Sequence, residues 1–446
     1  MDIGLLFLKG KEYGIEDMEV YTLNSISMGF NIYEGKLERY GISSERNLSI
    51  RGYYKGKMGY SYTEKLTDDS IDELLSNLIQ YAQNNESEDV EILSSSSNSC
   101  VIIQKKENKL DRYSDEEKIS FLKSIENDAF KYDSRIKAVR TCRYREKTTT
   151  VYIKNTKGLE LTDTHSIGVI TLSVVARDEK DVQTSYTQMV VDDLLEEYKD
   201  KLVREAVSDA VNMLGATSIE SKNYEIILRN NVAADLFSNM SPIFFGNIVQ
   251  KNLSLMKGKI GKRVGIPELS IIENPLMDNG AVFRTFDDEG IPTYSKYIIE
   301  NGVLKTFLHN NKTAEKEGLK STGNGFRNSH KGSIGVLATN MYIEKGNSTL
   351  EEMISTIDEG IMITEIEGLH AGINSISGEF SLSSNGFLIE KGKITRPICQ
   401  IVISGNFYEL LNDIVSIGND IKFSSPEGNY FGSPSIKIKS LTVAGK

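Results

Sequence analysis

The sequence predicts an α+β fold made of two domains, and three observations support it. In the first half of the 446 residues, segments with helical periodicity alternate with strand-like runs. Beyond residue 221 the chain becomes richer in Gly turns and strands. Gly215 and Ala216 end a long predicted helix between these two regions. We therefore predict an N-terminal domain, 1–215, of helices on a mixed or antiparallel sheet, and a β-rich C-terminal domain, 216–446, with hairpins and a central helix.

The N-terminal domain begins with elements typical of an antiparallel meander. A helix is predicted over 1–11 and is followed by strand-like runs at 18–23, 27–33, 37–42, 48–54 and 58–62. The turns between these runs carry Gly or Asn, which favours hairpins. A further helix begins at 67–69 and lasts to about residue 83. The polar tract 84–98 then predicts a connection, so the domain has a possible subdivision near 84–110.

The rest of this domain repeats the same two element types. Ser114 and Glu117 have the spacing of a capping box, which predicts a helix over 115–131. Strand candidates follow at 136–144, 148–155 and 166–176, with a fourth at 183–189, and a helix is predicted over 194–214. In the C-terminal half, the segments 297–304 and 387–394 resemble each other, and 31–37 is a looser match. Each reads as two strands around a Gly turn, which indicates that hairpins are the building unit.

A strand at 224–228 leads into the predicted central helix. Its apolar residues recur at every fourth position, which makes one apolar helical face: Val232, Leu236, Met240 and Phe244. Asn230 or Asn231 is the predicted N-cap, and Pro242 should interrupt the helix because it lacks an N–H group. The positions predicted to be exposed are polar but chemically mild: Ser238, Asn239 and Ser241.

Composition excludes several classes of protein. Hydrophobic residues at 39% and charged residues at 26% fit a soluble globular protein. A net charge of −11 argues against a general nucleic-acid binder, and no apolar stretch is long enough to span a membrane. The three cysteines have no zinc or redox spacing, and the N-terminal apolar run lacks the basic start of a signal peptide. We expect a cytoplasmic protein with free thiols and no nucleic-acid or membrane partner.

The residues alone indicate no catalytic constellation. The sequence has four histidines, and none is followed by Glu: His165, His309, His330 and His370. Glu367 and His370 have i, i+3 spacing, but the flanking glycines predict a loop. Asp163 and His165 lie on the same side of a strand, where we expect a surface pair.

Three turn-rich segments carry polar residues without a recognisable binding motif. The acidic segment 284–293 lacks the alternating oxygen donors of a calcium loop. The glycines at 322–327 lack the strand-to-helix context of a phosphate cradle. The segment 374–381 reads as a tight turn entering a strand, with Glu379 exposed.

Seven segments together resemble the TldD/PmbA family, the peptidases long labelled modulators of DNA gyrase. In order they are 286–293, 298–304, 322–327, 338–346, 377–381, 403–406 and the ending 432–445. The N-terminal half fits the family's order of helices and strands more loosely, so the resemblance covers most of the chain.

The resemblance implies which branch of the family this chain belongs to. The TldD branch holds a metal with His-Glu-x-x-x-His on a helix and a Cys near the C-terminus. Aligned on this sequence, Ser238, Asn239 and Ile243 stand where the two His and the Glu would be, and 426–432 replaces the Cys segment. None of these side chains is a zinc ligand or a general base. The chain therefore resembles the PmbA branch, also called TldE, with no catalytic residue and no cofactor of its own.

The implied function is that of a companion subunit in a metallopeptidase complex that degrades unfolded or small peptides. A TldD-type partner would supply the zinc, or the chain would pair with itself. Residues predicted to lie near the wall of a peptide tunnel are Ser238, Asn239, Arg327, His330, His370, Asn374 and Glu379. Two alternatives are an active hydrolase with a metal on His309, His330 or His370, and a regulatory binding protein that acts on a topoisomerase.

Overall fold

The structure is a computed structural model that describes residues 1–86, 91–95, 109–278, 280–329 and 333–446. His330 and the parts 87–90 and 96–98 of the predicted polar connection lie outside the described residues. The N-terminal elements are α1 (Ile3–Glu12), β1 (Ile15–Tyr33), β2 (Lys36–Tyr54), β3 (Lys57–Thr63), α2 (Ile71–Asn84), α3 (Asp115–Tyr132), β4 (Ile136–Asn155), β5 (Glu160–Arg177), β6 (Val182–Val191) and α4 (Glu196–Asn212). Short 3-10 helices lie at Asp68–Ser70 and Lys109–Arg112.

The six N-terminal strands form one antiparallel sheet in the order β3-β2-β1-β4-β5-β6. The predicted meander is confirmed, but the predicted strand lengths are wrong. The runs 18–23 and 27–33 belong to the single strand β1, and β2 and β4 likewise each join two predicted runs. The polar residues between the runs, such as Asn24 and Ser25, pair on both sides, with β2 and β4, so pairing continues where apolar alternation stops.

Helices cover one face of this sheet in two places. α1 and α2 pack near Val20 and Ile50, whereas α3 and α4 pack near Phe30, Tyr144 and Leu172. Because side chains alternate between the two faces of a strand, the opposite face is left to meet the C-terminal part of the chain. The predicted capping box of α3, between Ser114 and Glu117, is confirmed.

The C-terminal elements are β7 (Lys222–Leu228), α5 (Asn230–Met240), α6 (Gly246–Gln250), β8 (Ile271–Glu273), β9 (Lys296–Glu300), β10 (Val303–Leu304), α7 (Asn311–Glu315), β11 (Gly325–Arg327), β12 (Ile334–Val336), β13 (Met341–Ile343), α8 (Leu350–Ser355), β14 (Glu359–Glu367), α9 (Leu369–Gly372), β15 (Glu379–Glu390), β16 (Lys393–Asn406), α10 (Phe407–Asp413), β17 (Ile414–Ile417), β18 (Lys422–Phe423), β19 (Phe431–Ser433) and β20 (Ile436–Ala444). Five strands close into a ring, since β16 pairs with both β15 and β20 while β14 and β7 complete the circuit. A second sheet has the order β10-β9-β8-β13-β19-β18. The predicted β-rich region with a central helix is confirmed.

The three predicted hairpins share one turn geometry. Glu34 and Gly35 join β1 to β2, and the equivalent pairs 301–302 and 391–392 join β9 to β10 and β15 to β16. Both residues of each pair have positive φ, between 49° and 76°. Two-residue turns of this kind match the twist of the flanking strands, which explains why Gly recurs at the second position.

The central helix, α5, packs between the strand ring and the second sheet. The Phe237 ring lies 4.8 Å from that of Phe407 and 5.5 Å from that of Phe431, between ring centroids. The predicted interruption at Pro242 is confirmed, because a 3-10 helix, Ser241–Phe244, follows α5. The predicted N-cap is wrong. Arg229 occupies that position without a side-chain cap, since Asn230 donates its amide to the Asp420 carbonyl at 2.6 Å instead.

Candidate functional site

The free face of the N-terminal sheet rests on a loop, 284–293, that projects from the C-terminal part of the chain. Phe286 is buried there against Tyr21, Val151 and Leu159. Thr285 donates its backbone N–H and its hydroxyl to the Asp163 carboxylate, at 2.9 and 3.2 Å. The expected surface pair at 163 and 165 is therefore wrong for Asp163, because this loop covers it.

Charged side chains are buried at this junction. The Arg51 guanidinium is fully buried and donates through Nε to Glu19 Oε1 at 2.7 Å. Its Nη1 lies 3.9 Å from Glu289 Oε1. The Ser94 hydroxyl donates to the Glu289 carbonyl at 2.6 Å. The loop is thus fastened to β1, β2 and the 91–95 segment by polar contacts as well as by Phe286.

The acidic residues of the loop have separate partners. Asp288 accepts from the Arg284 guanidinium at 2.7 Å and from the Arg327 backbone N–H at 2.9 Å. Asp287 accepts three backbone N–H groups, from Glu289 and the positions 291 and 325. Burial raises the pKa of Asp287 to about 7 and that of Glu289 to about 8. The segment 284–293, which the sequence predicts as an acidic turn, therefore joins the two halves of the chain. We call it the anchor loop.

The predicted site on α5 is closed by a loop, 424–430. The Ser238 hydroxyl donates to the Asn429 carbonyl in a short hydrogen bond. Ser241 donates to the Ser238 carbonyl at 2.8 Å, and Ile243 is fully buried. The predicted exposure of Ser238 and Ser241 is therefore wrong, because the covering loop comes from a distant part of the chain. Asn239 is exposed as expected, and its amide donates to the Asp235 carbonyl at 2.9 Å.

The carboxyl group nearest in sequence to this site belongs to Asp235, one helical turn earlier. Burial raises its pKa to about 6, against the opposing charge of Lys422. The Lys422 ammonium donates to Glu205 on α4 at 2.6 Å. This contact ties the edge of the site to the N-terminal sheet layer.

The other side of the 424–430 loop faces a groove of about 490 Å³. The groove crosses four neighbouring strands of the N-terminal sheet, β2, β1, β4 and β5. Its lining includes Ser27, Gly29, Ser43, Lys147, Ile167, Val169 and, from the loop, Pro426 and Glu427. Arg145 and Glu427 form an ion pair across it. The sequence analysis missed this groove, because only the three-dimensional pairing of the strands brings these residues together.

Three other candidates lie around a single hairpin. The Asn374 side chain accepts the backbone N–H groups of Ile376 and Ser377, and its own N–H donates to the Glu379 carbonyl at 2.8 Å. His370 lies on the short helix α9, so the predicted loop there is wrong. Gly368, with φ 81°, ends β14 and lets the chain turn into that helix. These side chains are exposed.

The candidates therefore fall in three places rather than one: Ser238 and Asn239 on α5, Arg327 beside the anchor loop, and His370, Asn374 and Glu379 at the hairpin. The Arg327 guanidinium lies 4.7 Å from the centre of the Tyr21 ring. Within the described ranges, no group of three or more His, Cys, Asp or Glu side chains is placed to hold a metal ion. His309 is buried, and burial lowers its pKa.

Comparison with known proteins identifies the family. Three sequence profiles match in order: PmbA/TldA metallopeptidase domain 1 over residues 18–82, the central domain over 108–214 and the C-terminal domain over 221–445. The chain is 30% identical over 275 residues to a metalloprotease PmbA homologue of Buchnera aphidicola from Acyrthosiphon pisum, a match that spans 61% of this chain and 58% of that protein. A metalloprotease TldD homologue of Buchnera aphidicola from Schizaphis graminum is 29% identical over 364 residues, or 76% of this chain and 74% of that protein.

Solved structures share the whole fold. A Thermotoga maritima protein described as a modulator of a DNA gyrase is 32% identical, with a TM-score of 0.89 over 99% of both chains. TldE from Thermococcus kodakarensis is 22% identical and has a TM-score of 0.90 over 99% of this chain and 100% of its own, which shows a common fold. In the described part of the chain, no helix is long and apolar enough to cross a membrane. This chain belongs to the PmbA/TldD family of metallopeptidases.

Proposed function

We propose that this chain is a PmbA/TldE-type companion subunit of a TldD-type metallopeptidase complex. The observation that carries the proposal is the set of side chains at the end of α5. The resemblance places the metal-site residues of the TldD branch at these positions. Ser238 and Ile243 are buried there among protein atoms, and the Ser238 hydroxyl is engaged by Asn429. Zinc sites in proteins are built from imidazole, thiolate and carboxylate groups.

These residues do not fit a catalytic metal. A neutral hydroxyl that already donates a hydrogen bond is a poor ligand, and the Ile243 side chain offers no donor atom. The Asn239 amide has no basic site with which to take a proton from water. Asp235 is a single carboxyl group, and one protein donor does not make up the three that catalytic zinc sites use. We therefore derive no catalytic step through a metal in this chain.

What this subunit contributes, under the proposal, is a surface that holds a peptide. The groove beside the 424–430 loop is formed by strands of the N-terminal sheet, and its charged lining includes Lys147 and the Arg145–Glu427 pair. In the described residues, β3 pairs with β2 only from Leu48 onward, so 36–47 of β2 keeps one edge unpaired beside the groove. An extended peptide can bind to such an edge through its backbone, which requires little of its sequence. This property suits a complex that acts on unfolded or small peptides. The tunnel roles of Asn239, Arg327 and the hairpin residues 370, 374 and 379 stay predictions.

The similar proteins agree with this assignment in name. The relatives include proteins named metalloprotease PmbA, and the similar structures include a TldE. TldD homologues also match, and the match to the Buchnera PmbA homologue covers only 58% of that protein. The assignment to the companion branch therefore depends on the residues at α5.

Peptide cleavage by a reconstituted complex tests the proposal. The chain is purified with a TldD-type subunit from the same source, and cleavage of an unfolded peptide is followed with each subunit alone and with both. We expect activity that requires both subunits and that survives Ser238→Ala in this chain, because the Ser238 hydroxyl is buried and engaged by Asn429. Activity of this chain alone that a chelator removes would contradict the proposal.

A matched pair of variants tests the groove separately. Lys147→Glu changes the charge of the groove, whereas Lys137→Glu makes the same change at an exposed position of the same strand outside it. We expect the Michaelis constant of the complex for the peptide to change several-fold in the first variant and to stay unchanged in the second. Equal behaviour of the two would place the peptide elsewhere.

A further inference from the structure

The groove beside the 424–430 loop has a floor without side chains where it crosses β1 and β2. Gly29 of β1 is paired with Gly41 of β2 on one side and with Arg145 of β4 on the other. A Cβ atom added at Gly41 would meet no atom of the described residues within 4 Å, and one at Gly29 would lie 3.5 Å from the Arg145 side chain. The two glycines therefore leave an open passage across the sheet, from the 36–47 edge of β2 to Arg145.

Three cations of β4 lie at the end of this passage. Arg143, Arg145 and Lys147 occupy alternate positions of the strand, so their side chains lie on one face of the sheet at intervals of about 7 Å. This face is the one opposite the helices, because Tyr144, which lies between two of them, packs against α3. Arg145 and Lys147 line the groove, and Arg143 continues the row beyond it.

The strands on either side of β4 supply no counter-charge to this row. The register partners of the three cations on β1 and β5 are all uncharged: Asn31, Gly29, Ser27, Thr171, Val169 and Ile167. Arg143 donates through Nε to the Asn31 amide oxygen at 3.0 Å, and Lys147 is exposed. Among the residues that the structure describes, Arg143 and Lys147 have no ion-pair partner. Since neighbouring like charges repel, the row favours a ligand that carries negative charge.

A carboxylate of the chain itself already binds in this row. Glu427, from the loop beside the groove, forms an ion pair with Arg145, and the two side chains stay 61% and 41% exposed. The other carboxylate in the lining, that of Glu146, accepts from Lys118 of α3 at 2.7 Å on the helix side of the sheet. One available carboxylate thus serves three cations, and its contact shows that a glutamate side chain can reach Arg145.

We propose that the groove selects peptides with acidic side chains, and that Arg143, Arg145 and Lys147 bind an Asp or Glu carboxylate of the peptide. The inference rests on the peptide-binding role proposed above and adds a substrate class to it. Guanidinium groups bind carboxylates through paired N–H donors, and Lys147 adds a further point charge. The net charge of −11 does not oppose this contact at physiological salt, where exposed charges more than about 8 Å apart are largely screened.

The path of the peptide follows from the order of the strands. A peptide paired through its backbone with residues 36–47 of β2 lies three strand spacings, about 14 Å, from β4. An extended chain covers that distance in about four residues, and it can run over Gly41 and Gly29 without meeting a side chain at either position. An acidic residue about four positions beyond the paired segment therefore reaches the cations.

Fluorescence anisotropy of labelled peptides with the full chain, purified alone, tests the inference without any cleavage. Three unstructured peptides of one length, each amidated at the C-terminus, carry Glu, Gln or Lys at the same positions, so that side chains supply the only carboxylates. We expect the Glu peptide to bind about fivefold more tightly than the Gln peptide at about 50 mM NaCl, and the Lys peptide to bind least tightly. The difference between Glu and Gln should disappear at about 500 mM NaCl, because exposed ion pairs are screened.

Substitutions in the row separate its charge from its shape. Arg143→Gln together with Lys147→Gln should abolish the preference for the Glu peptide, while binding of the Gln peptide stays unchanged. The matched control, Lys131→Gln together with Lys137→Gln, removes two charges at exposed positions outside the groove and should keep the preference.

Glu427→Gln tests the row in the opposite direction. It removes the internal competitor at Arg145, so it should strengthen binding of the Glu peptide a few-fold and leave the Gln peptide unaffected. Equal binding of the Glu and Gln peptides by the natural chain would overturn the inference and leave peptide binding by the groove intact. Binding of neither peptide would overturn both, whereas the companion-subunit assignment is decided by the cleavage assay. A preference that survives the Arg143 and Lys147 substitutions, or tighter binding of a labelled oligothymidylate than of the Glu peptide, would also overturn the inference.

Discussion

The most informative stability prediction concerns Glu289→Gln in the anchor loop. Glu289 accepts the backbone N–H of Asn311 at 2.7 Å, and its other carboxyl oxygen is 3.9 Å from the Arg51 guanidinium. Arg51 is already paired with Glu19 at 2.7 Å. Burial raises the pKa of Glu289 to about 8, with the charge of Asp287 as the next cause, so the folded protein holds a proton here that the unfolded chain loses at lower pH.

The sign of the pH dependence follows from this shift. The folded pKa is above the ordinary value of 4.5, so the carboxyl group destabilises the fold increasingly as the pH rises from about 4.5 to about 8, and no further above that. One pKa unit corresponds to about 1.4 kcal/mol, which sets an upper bound of about 5 kcal/mol. Because part of the shift comes from the charge of Asp287, whose own pKa is raised to about 7, we expect a smaller effect, about 2–3 kcal/mol.

Calorimetric unfolding between pH 5 and pH 9 measures this effect. Glutamine keeps the shape of the side chain and an acceptor for Asn311 but carries no charge at any pH. We expect the wild-type midpoint to fall by roughly 5–10 °C more than that of the variant between these limits, from the usual relation of stability to midpoint for a unit of about 200 residues. Glu390→Gln, at an exposed position, is the control. If the unfolding midpoints of Glu289→Gln and wild type depended on pH in the same way, the inference that Glu289 is buried and protonated would be refuted.

Three other substitutions give independent tests. Phe286→Ala should lower the free energy of unfolding by about 3–5 kcal/mol, because it empties a buried contact between the anchor loop and the sheet, and a urea titration measures it. Lys296→Met should cost about 3–5 kcal/mol in the same titration, since it leaves the fully buried Glu273, now 2.6 Å from the ammonium, without its partner. Ser238→Ala should cost only about 1 kcal/mol through the lost hydrogen bond to the 424–430 loop, and a loss above 3 kcal/mol would show a larger role.

The sequence predicted α5 and the hairpins because their signals are local. The four-residue apolar period of α5 and the Gly turns at 35, 302 and 392 depend on neighbours within a few positions. The long strands were not predicted, because pairing with β2 and β4 keeps polar positions such as Ser25 extended where apolar alternation fails. The division of the chain at 215–216 stays a prediction.

The candidate site was predicted less well, since its environment depends on distant segments. Ser238 is buried by Asn429, 191 residues further along the chain. Asp163 is covered by the anchor loop, 122 residues away from it. Arg51 reads in the sequence as an ordinary charged strand residue, and its burial depends on the Glu19 carboxylate, which lies 2.7 Å away. The family was predicted correctly from the seven segments, because several short matches in order carry more information than any single residue.

The central claim is that this chain has no catalytic metal of its own, and zinc content measured by elemental mass spectrometry tests it most directly. The chain is purified alone and dialysed against zinc. A variant with Ser238→His, Asn239→Glu and Ile243→His is treated in the same way, since it carries the imidazole and carboxylate groups that the natural residues lack. We predict no stoichiometric zinc on the natural chain. One firmly bound zinc per natural chain, lost when the groups around Ser238 and Asn429 are replaced, would contradict the account.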